Sequence, residues 1–411
     1  MHTARFDKVP QKIEIDEDVK IEQESQAVQS EWVDRESETP RGAIAHLEYQ
    51  LKADKHVKMT NHGRNNLLDC EEEATTRHML NQSFNHSDKF LYGHDYEFGI
   101  KNEGNTCFLN AALQLVFSAT EFIEYYYQKK YLPTHQDEEN KVQMKSEGYQ
   151  FCNAMHEICQ DIFDQNKKVI RASKLRNLIK DNFPLNEQSD SMQVILNIFD
   201  NLQSEETPEN TKYIPTDYKD CKEAWEGYIS MNPTITDQLF SGMYQKVIRC
   251  HGWENNKYVF ENFNYVWLDI NASNLEDAYI NYINDTATYQ EGSLKCNACG
   301  ERPYTEISKE MVKLPKYCMF LLNRFDMKSG WKNEEKIKYP KTLKLSDKYE
   351  SNMNYELRSI VVHSGGLHGG HYIAVAKKND KWKEFNDSSM RRIKKNQALS
   401  KQAYILIYKK V

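Results

Sequence analysis

Two short stretches hold the residue types from which a thiol hydrolase is built: GIKNEGNTCFLNAALQ at 99–114, and HSGGLHGGHYIAVA at 363–376 followed by WKEFND at 382–387. A thiol, an imidazole to take its proton and a third polar group to hold the imidazole are what nucleophilic acyl transfer requires. Cys107 opens a segment in which Phe108, Leu109, Ala112, Leu113, Val116 and Phe117 recur at helical spacing. The thiol therefore falls at a helix N-terminus, where the dipole and unpaired N–H groups favour thiolate. Asn105 and Thr106 are candidate N-caps, and Gly104 allows a sharp turn before them. The second stretch reads as a β-hairpin, with a strand after His371, a turn at Asn379-Asp380 and a return strand from Trp382. A hairpin brings its open ends together, so Asn386 or Asp387 can orient His371 while the other ring nitrogen faces the thiol.

The elements that must position these groups follow from periodicity. From 107 to about 203 the signals are helical: Phe151, Met155, Ile158 and Ile162, then Leu175, Leu178 and Ile179 after a Ser173 cap, then Met192, Ile195, Leu196 and Phe199 after Asp190. Beyond about 236, β-type runs dominate: YVFENFNYVWLDI at 258–270, YCMFLLNRF at 317–325, LRSIVV at 357–362, HYIAVA, and YILIY at 404–408. Helices first and strands afterwards indicate an α+β protein with its site between the two parts.

Residues 96–411 are enough for one large domain with its own core, whereas 1–95 read as an appendage. Ten acidic and three basic residues between 11 and 40 make a net of −7, equal to the formal charge of the whole chain. Such a segment buries too little apolar surface to offset chain entropy, so disorder is expected for most of this acidic extension. A short helix at 42–54 and an alternating run, IEIDEDVKIE at 13–22, that could add to a partner's sheet are its only structural signals. Nine cysteines, an odd number, with no secretory or transmembrane-length apolar stretch point to a reducing, cytoplasmic or nuclear setting and no membrane partner. The charge balance argues against nucleic acid, since the one dense basic run, RRIKK at 391–395, lies inside the domain.

The first stretch resembles the cysteine box of the ubiquitin-specific protease family, and GGHY followed by W-x-x-F-N-D resembles its histidine box. QSDS at 188–191, FSGMYQ at 240–245, CNAC at 296–299, LPKYCMFLLNRF at 314–325 and AYILIY at 403–408 match further family motifs in order. The resemblance implies a papain-like cysteine protease with a helical thumb, a β-rich palm and β fingers. It implies a deubiquitinating isopeptidase whose partners are ubiquitin and ubiquitinated proteins, cleaving after the terminal Gly-Gly through a Cys107 thioester, with His371 moving protons. The family's oxyanion-stabilising position falls on Asn102, which also reads as a turn residue of a Gly-rich loop. Motif position assigns the orienting role to Asn386, with Asp387 second because a carboxylate better stabilises an imidazolium. His363 and His368 are weaker base candidates, the latter lying among glycines. Gly369 and Gly370, with Gly365 and Gly366, would let the backbone lie against a thin tail, and Tyr372 begins the strand beside it.

Two departures matter. The family's tail-binding pattern Q-x-D-A-x-E-F appears here as Gln188-Ser189-Asp190-Ser191-Met192-Gln193-Val194, so Asp190 and Gln193 are expected to meet the substrate, the latter without a charge. Asp190 with Gln193 three residues on is equally a capping box. The family's finger zinc uses two C-x-x-C pairs; Cys296 and Cys299 form one, but Cys250 is followed by His251, Gly252 and Trp253. Tryptophan cannot coordinate, so no metal and no cofactor are expected, with three thiolates and the adjacent His251 as the alternative zinc ligand set. A ubiquitin-like modifier as substrate, or a ubiquitin-binding pseudoenzyme, are the alternative readings.

Overall fold

Helices fill the first half of the described chain and strands the second. The computed structural model describes residues 59–61, 97–132, 148–163, 167–207, 218, 220–252, 256–296, 299–326, 329–367 and 369–411. The expected helix at 42–54, the run at 13–22, His368 and Trp253 lie outside these residues.

After β1 (Met59–Asn61) and β2 (Gly99–Ile100) come α1 (Cys107–Val116), α2 (Thr120–Tyr127) and α3 (Gln150–Phe163). Then follow β3 (Val169–Ile170), α4 (Ser173–Leu178), α5 (Ser191–Glu206), α6 (Cys221–Met231) and α7 (Ile235–Phe240). Each expected apolar helical set falls on a helix. The Ser173 cap is corrected: Ala172 holds the N-cap position of α4, and the Ser173 hydroxyl donates to Glu103 instead. Asp190 does cap α5, its Oδ1 accepting from the backbone N–H of Met192 at 2.8 Å and of Gln193 at 3.1 Å.

The strand half comprises β4 (Gly242–Cys250), β5 (Lys257–Phe263), β6 (Val266–Asp269), α8 (Leu275–Asn284), β7 (Ala287–Tyr289), β8 (Thr305–Lys313) and β9 (Tyr317–Asn323). It continues through β10 (Thr342–Leu345), β11 (Met353–Gly366), β12 (Gly369–Lys378), β13 (Lys381–Asn386), β14 (Ser389–Arg392), α9 (Lys395–Leu399) and β15 (Ala403–Lys410). One sheet, the fingers, runs β1-β5-β4-β8-β7. The palm sheet runs β14-β13-β12-β11-β15-β9-β6, with β10 also on β11. The β-type run 258–270 is two strands in different sheets. The break falls at Asn264, whose side-chain amide donates to the Ser241 hydroxyl at 2.8 Å as the chain leaves the fingers for the palm.

Period-two alternation explains why the palm strands read as unbroken apolar runs. Tyr317, Met319, Leu321, Ile405, Ile407, Ala374 and Phe385 face the core shared with α1, α2, α3 and α5. Cys318, Phe320, Leu322, Leu406, Tyr408, Val375 and Trp382 face a second core under α8 and α9. Both faces of the sheet are buried, so the β12–β13 hairpin stands on a rigid layer. Glu121 of α2 ties the layers together, accepting from the Tyr317 hydroxyl at 2.5 Å and pairing with Lys409 at 2.9 Å and Lys316 at 3.1 Å. Burial alone would raise its carboxyl, but the two ammonium groups and the hydroxyl outweigh it and hold it at about 2. No helix among the described residues is long and apolar enough to cross a membrane.

Candidate active site

Cys107 is the first residue of α1 and 3% exposed, with the backbone of Tyr372 in β12 hydrogen-bonded to its thiol. Position alone favours thiolate, yet the balance goes the other way. Burial pushes the thiol up, and the Asp387 carboxylate adds to the rise against the backbone donors. With its ionisation so opposed, sulfur at this position needs a base to take its proton before it can attack. The pull toward thiolate expected of the helix start is thus opposed by burial and by Asp387. Alkylation of Cys107 by iodoacetamide in the free chain should therefore keep accelerating with pH past the ordinary thiol value of about 8.5. A plateau below neutrality would instead reveal a preformed thiolate–imidazolium pair.

The hairpin resolves which residue meets the imidazole. Asn379 and Asp380 both have positive φ, 45° and 59°, and form the two-residue turn between β12 and β13. His371 near the start of β12 and Asn386 at the end of β13 are then adjacent. The Asn386 Oδ1 lies 2.7 Å from His371 Nε2, which leaves Nδ1 as the second nitrogen of the ring. With Nε2–H donating to the amide oxygen, Nδ1 is the lone pair that can accept the thiol proton.

Asp387 faces elsewhere, because it stands in the next tight turn, from Asn386 to Ser389, with φ 50°. Its Oδ2 accepts from Asn102 Nδ2 at 3.0 Å, its Oδ1 from Asn110 Nδ2 at 2.7 Å, and its carbonyl from the Ile100 N–H at 2.9 Å. Gly99 packs on the same turn so closely that a Cβ there would lie 2.3 Å from the Ser388 carbonyl oxygen. The carboxylate thus locks the cysteine box to the histidine box. Asn102 is both turn residue and candidate donor: its Oδ1 accepts from the N–H groups of Gly104 at 3.1 Å and Thr106 at 3.2 Å, while its Nδ2 is aimed by Asp387. An amide so held keeps a second N–H for a developing oxyanion.

Sequence reasoning missed Asn110. A buried polar side chain in a mostly apolar helix must find a partner, and that obligation was the available signal. It also missed Gln188, whose Oε1 accepts from the Gly370 N–H at 2.7 Å and whose Nε2 donates to the Gly370 carbonyl at 2.8 Å.

The expected substrate-binding residues are placed differently from one another. Asp190 is spent internally: Oδ1 caps α5, and Oδ2 accepts from the hydroxyls of Tyr404 at 2.5 Å and Tyr372 at 3.1 Å. Its four acceptor positions are filled, so it braces β12 and β15 through two tyrosines. Tyr372 is buried, so it offers a substrate its backbone rather than its ring. Gln193 is nearly buried, and of the expected capping box only the Asp190 half forms. Gly369 and Gly370 have reasons of their own: a Cβ on Gly369 would lie 2.8 Å from Gln188 Oε1, and one on Gly370 2.2 Å from His363 Nε2. His363 packs against Tyr372 with ring centroids 4.5 Å apart and planes tilted by 39°, and burial, then nearby Lys332, pushes its imidazole down to about 4. Buried against Tyr372, it lacks the orienting amide that Asn386 gives His371.

In the fingers, the sulfurs of Cys250, Cys296 and Cys299 lie within 4.8 Å of one another. That grouping fits three corners of a tetrahedral zinc site. Among the described residues no fourth ligand joins them, and the His251 ring packs edge-on against Tyr304 with centroids 4.9 Å apart.

Comparison with known proteins adds an independent line. The family model described as "Ubiquitin carboxyl-terminal hydrolase" matches residues 98–408. Ubiquitin carboxyl-terminal hydrolase 17-like protein B of Mus musculus is 22% identical over 317 residues, covering 75% of this chain and 63% of that protein. Ubiquitin carboxyl-terminal hydrolase Usp2 of Drosophila melanogaster is 24% identical over 333 residues, covering 76% of this chain and 34% of that protein. The chain thus spans only part of the length of these relatives. Among solved structures, the SAGA Ubp8/Sgf11/Sus1/Sgf73 DUB module bound to ubiquitin aldehyde shares the fold, with a TM-score of 0.60 and 23% identity over 77% of this chain and 70% of that one.

Proposed function

The chain belongs to the ubiquitin carboxyl-terminal hydrolase family, of the ubiquitin-specific protease type, and from that premise we propose that it is a thiol isopeptidase acting after the C-terminal Gly-Gly of ubiquitin. The observation that carries this reading is that the backbone of Tyr372, next to His371, bonds the Cys107 thiol, while Asn386 holds His371 and Asp387 holds Asn102 and Asn110 of the cysteine box. His371 Nδ1 takes the thiol proton as sulfur attacks the scissile carbonyl carbon. The oxyanion that forms is met by the Asn102 amide and the N–H of Cys107 at the helix start. Collapse breaks the C–N bond, His371 protonates the leaving amine, and a thioester remains on Cys107. Water, deprotonated by the same imidazole, then hydrolyses the thioester through a second oxyanion and returns the thiol.

Holding His371, Asn102 and Cys107 together has little use for a protein that only binds, which argues against a pseudoenzyme. A ubiquitin-like modifier is the second reading, favoured by the neutral Gln193 where the family carries a glutamate. A panel of electrophilic C-terminal probes made from ubiquitin and its relatives separates these. Labelling of Cys107 by the ubiquitin probe is expected. Labelling by another modifier alone would transfer the same chemistry to that substrate, and labelling by none would overturn the proposal.

A further inference from the structure

The palm sheet leaves one edge unpaired beside the nucleophile. β13 pairs with β12 only as far as Ala374, opposite Phe385, so between Gly370 and Ile373 the outer side of β12 is not covered by it. At one end of this short edge the backbone of Tyr372 meets the Cys107 thiol. At the other end Gly370 turns both its N–H and its carbonyl away from β11 toward the loop ahead of α5, where Gln188 holds them at 2.7 and 2.8 Å. A side-chain amide that donates to and accepts from one residue of an open strand edge reproduces the bond pair of an added strand.

The occupied atoms lie in the residue immediately before His371. An extended peptide threading between helices and sheet toward Cys107 would add along this edge, and its first strand-type partner is Gly370. Gly369 is shaped to the clasp as well, since a Cβ there would approach Gln188 Oε1 to 2.8 Å. Gln188 itself is exposed and sits in the loop before α5, so it can swing out without disturbing a core.

We propose that Gln188 is an intramolecular stand-in for the substrate's tail amide: it occupies the Gly370 N–H and carbonyl in the free chain and is displaced when the Gly-Gly tail enters. The inference rests on the isopeptidase reading above and assigns a gating role within that site. A closed clasp lowers the fraction of chains competent to bind, so the apparent KM is raised by the inverse of that fraction. Two exposed hydrogen bonds, each of modest net strength, are enough for a shift of about fivefold. The catalytic groups do not touch Gln188, so the effect falls on KM rather than on kcat.

The test compares wild type with Gln188→Ala and Gln188→Met, the second keeping side-chain length while removing both hydrogen bonds. Steady-state hydrolysis of a fluorogenic ubiquitin C-terminal conjugate should show KM lowered about fivefold in both variants. An unchanged or raised KM in both would overturn the proposal, the latter by making Gln188 a contact that helps the tail. Amide hydrogen exchange over the peptide containing Gly370 is the substrate-independent arm. Faster exchange in both variants is expected, and exchange equal to wild type would show that no clasp exists in solution. Should wild type leave the ubiquitin conjugate intact while exchange still accelerates, the clasp stands and the ubiquitin reading falls; KM is then measured with the modifier whose probe labels Cys107.

Discussion

Replacing Cys107 with alanine abolishes hydrolysis and probe labelling while the fold and binding of the modifier persist. Alanine is a good helix former, and at the first position of α1 it gives up only a thiol whose hydrogen bond is to the Tyr372 backbone. Loss of a nucleophile from a set that works as a unit lowers turnover by about 10⁶. None of the other described thiols can substitute. Cys152, Cys159 and Cys318 are buried, and burial pushes each of them far above the ordinary thiol value. Cys221 lies 2.9 Å from the Tyr349 hydroxyl, and Cys250, Cys296 and Cys299 are in the fingers. Labelling of Cys107→Ala at the wild-type rate, read by intact mass, would put the nucleophile elsewhere.

The two neighbours at the end of β13 fail by different routes. Asn386→Ala removes the one hydrogen bond that holds His371 Nε2, so the tautomer and ring orientation are lost and kcat/KM falls by about 10²–10⁴ with thermal stability little changed. Asn386→Asp supplies an acceptor at the same place and restores most of the rate. Asp387→Ala leaves that pair intact but releases Asn102 and Asn110 together. The rate then falls by about 10²–10³ through the misplaced oxyanion donor. Stability also drops by about 1–3 kcal/mol, because the buried Asn110 amide loses a charged acceptor. Rates, pH profiles and thermal midpoints of the three variants decide the matter. A near-wild-type Asn386→Ala beside an inactive Asp387→Ala would hand the orienting role to the carboxylate.

Much of this arrangement was legible before any coordinates because it is local. The α1 start, the Asn379-Asp380 turn and the order of helices and strands each follow from spacing within a dozen residues, where propensity and periodicity act directly. The break at Asn264 was not legible. Its flanks on both sides are apolar and β-branched or aromatic, and only the presence of two separate sheets makes the chain stop pairing between them. What opposes the ionisation of Cys107 was hidden for a related reason. A helix dipole is visible in sequence, whereas desolvation under β12 and the approach of Asp387 are not.

By itself, then, the sequence determined which side chains are available for chemistry, on which elements they sit, and that a thiol and an imidazole belong to one site. Their local patterns depend only on backbone periods and turn chemistry, which neighbouring residues dictate. Tertiary structure alone decided what each polar group meets. Asn386 and Asp387 are adjacent in the chain, yet one faces His371 and the other Asn102 and Asn110, because the strand ends between them and the turn reverses their directions. Asp190 became a support for two tyrosines, and Gln188 a clasp on Gly370, through contacts that span 182 residues or more. Such pairings depend on where the packed cores bring distant segments together, and no local period encodes that.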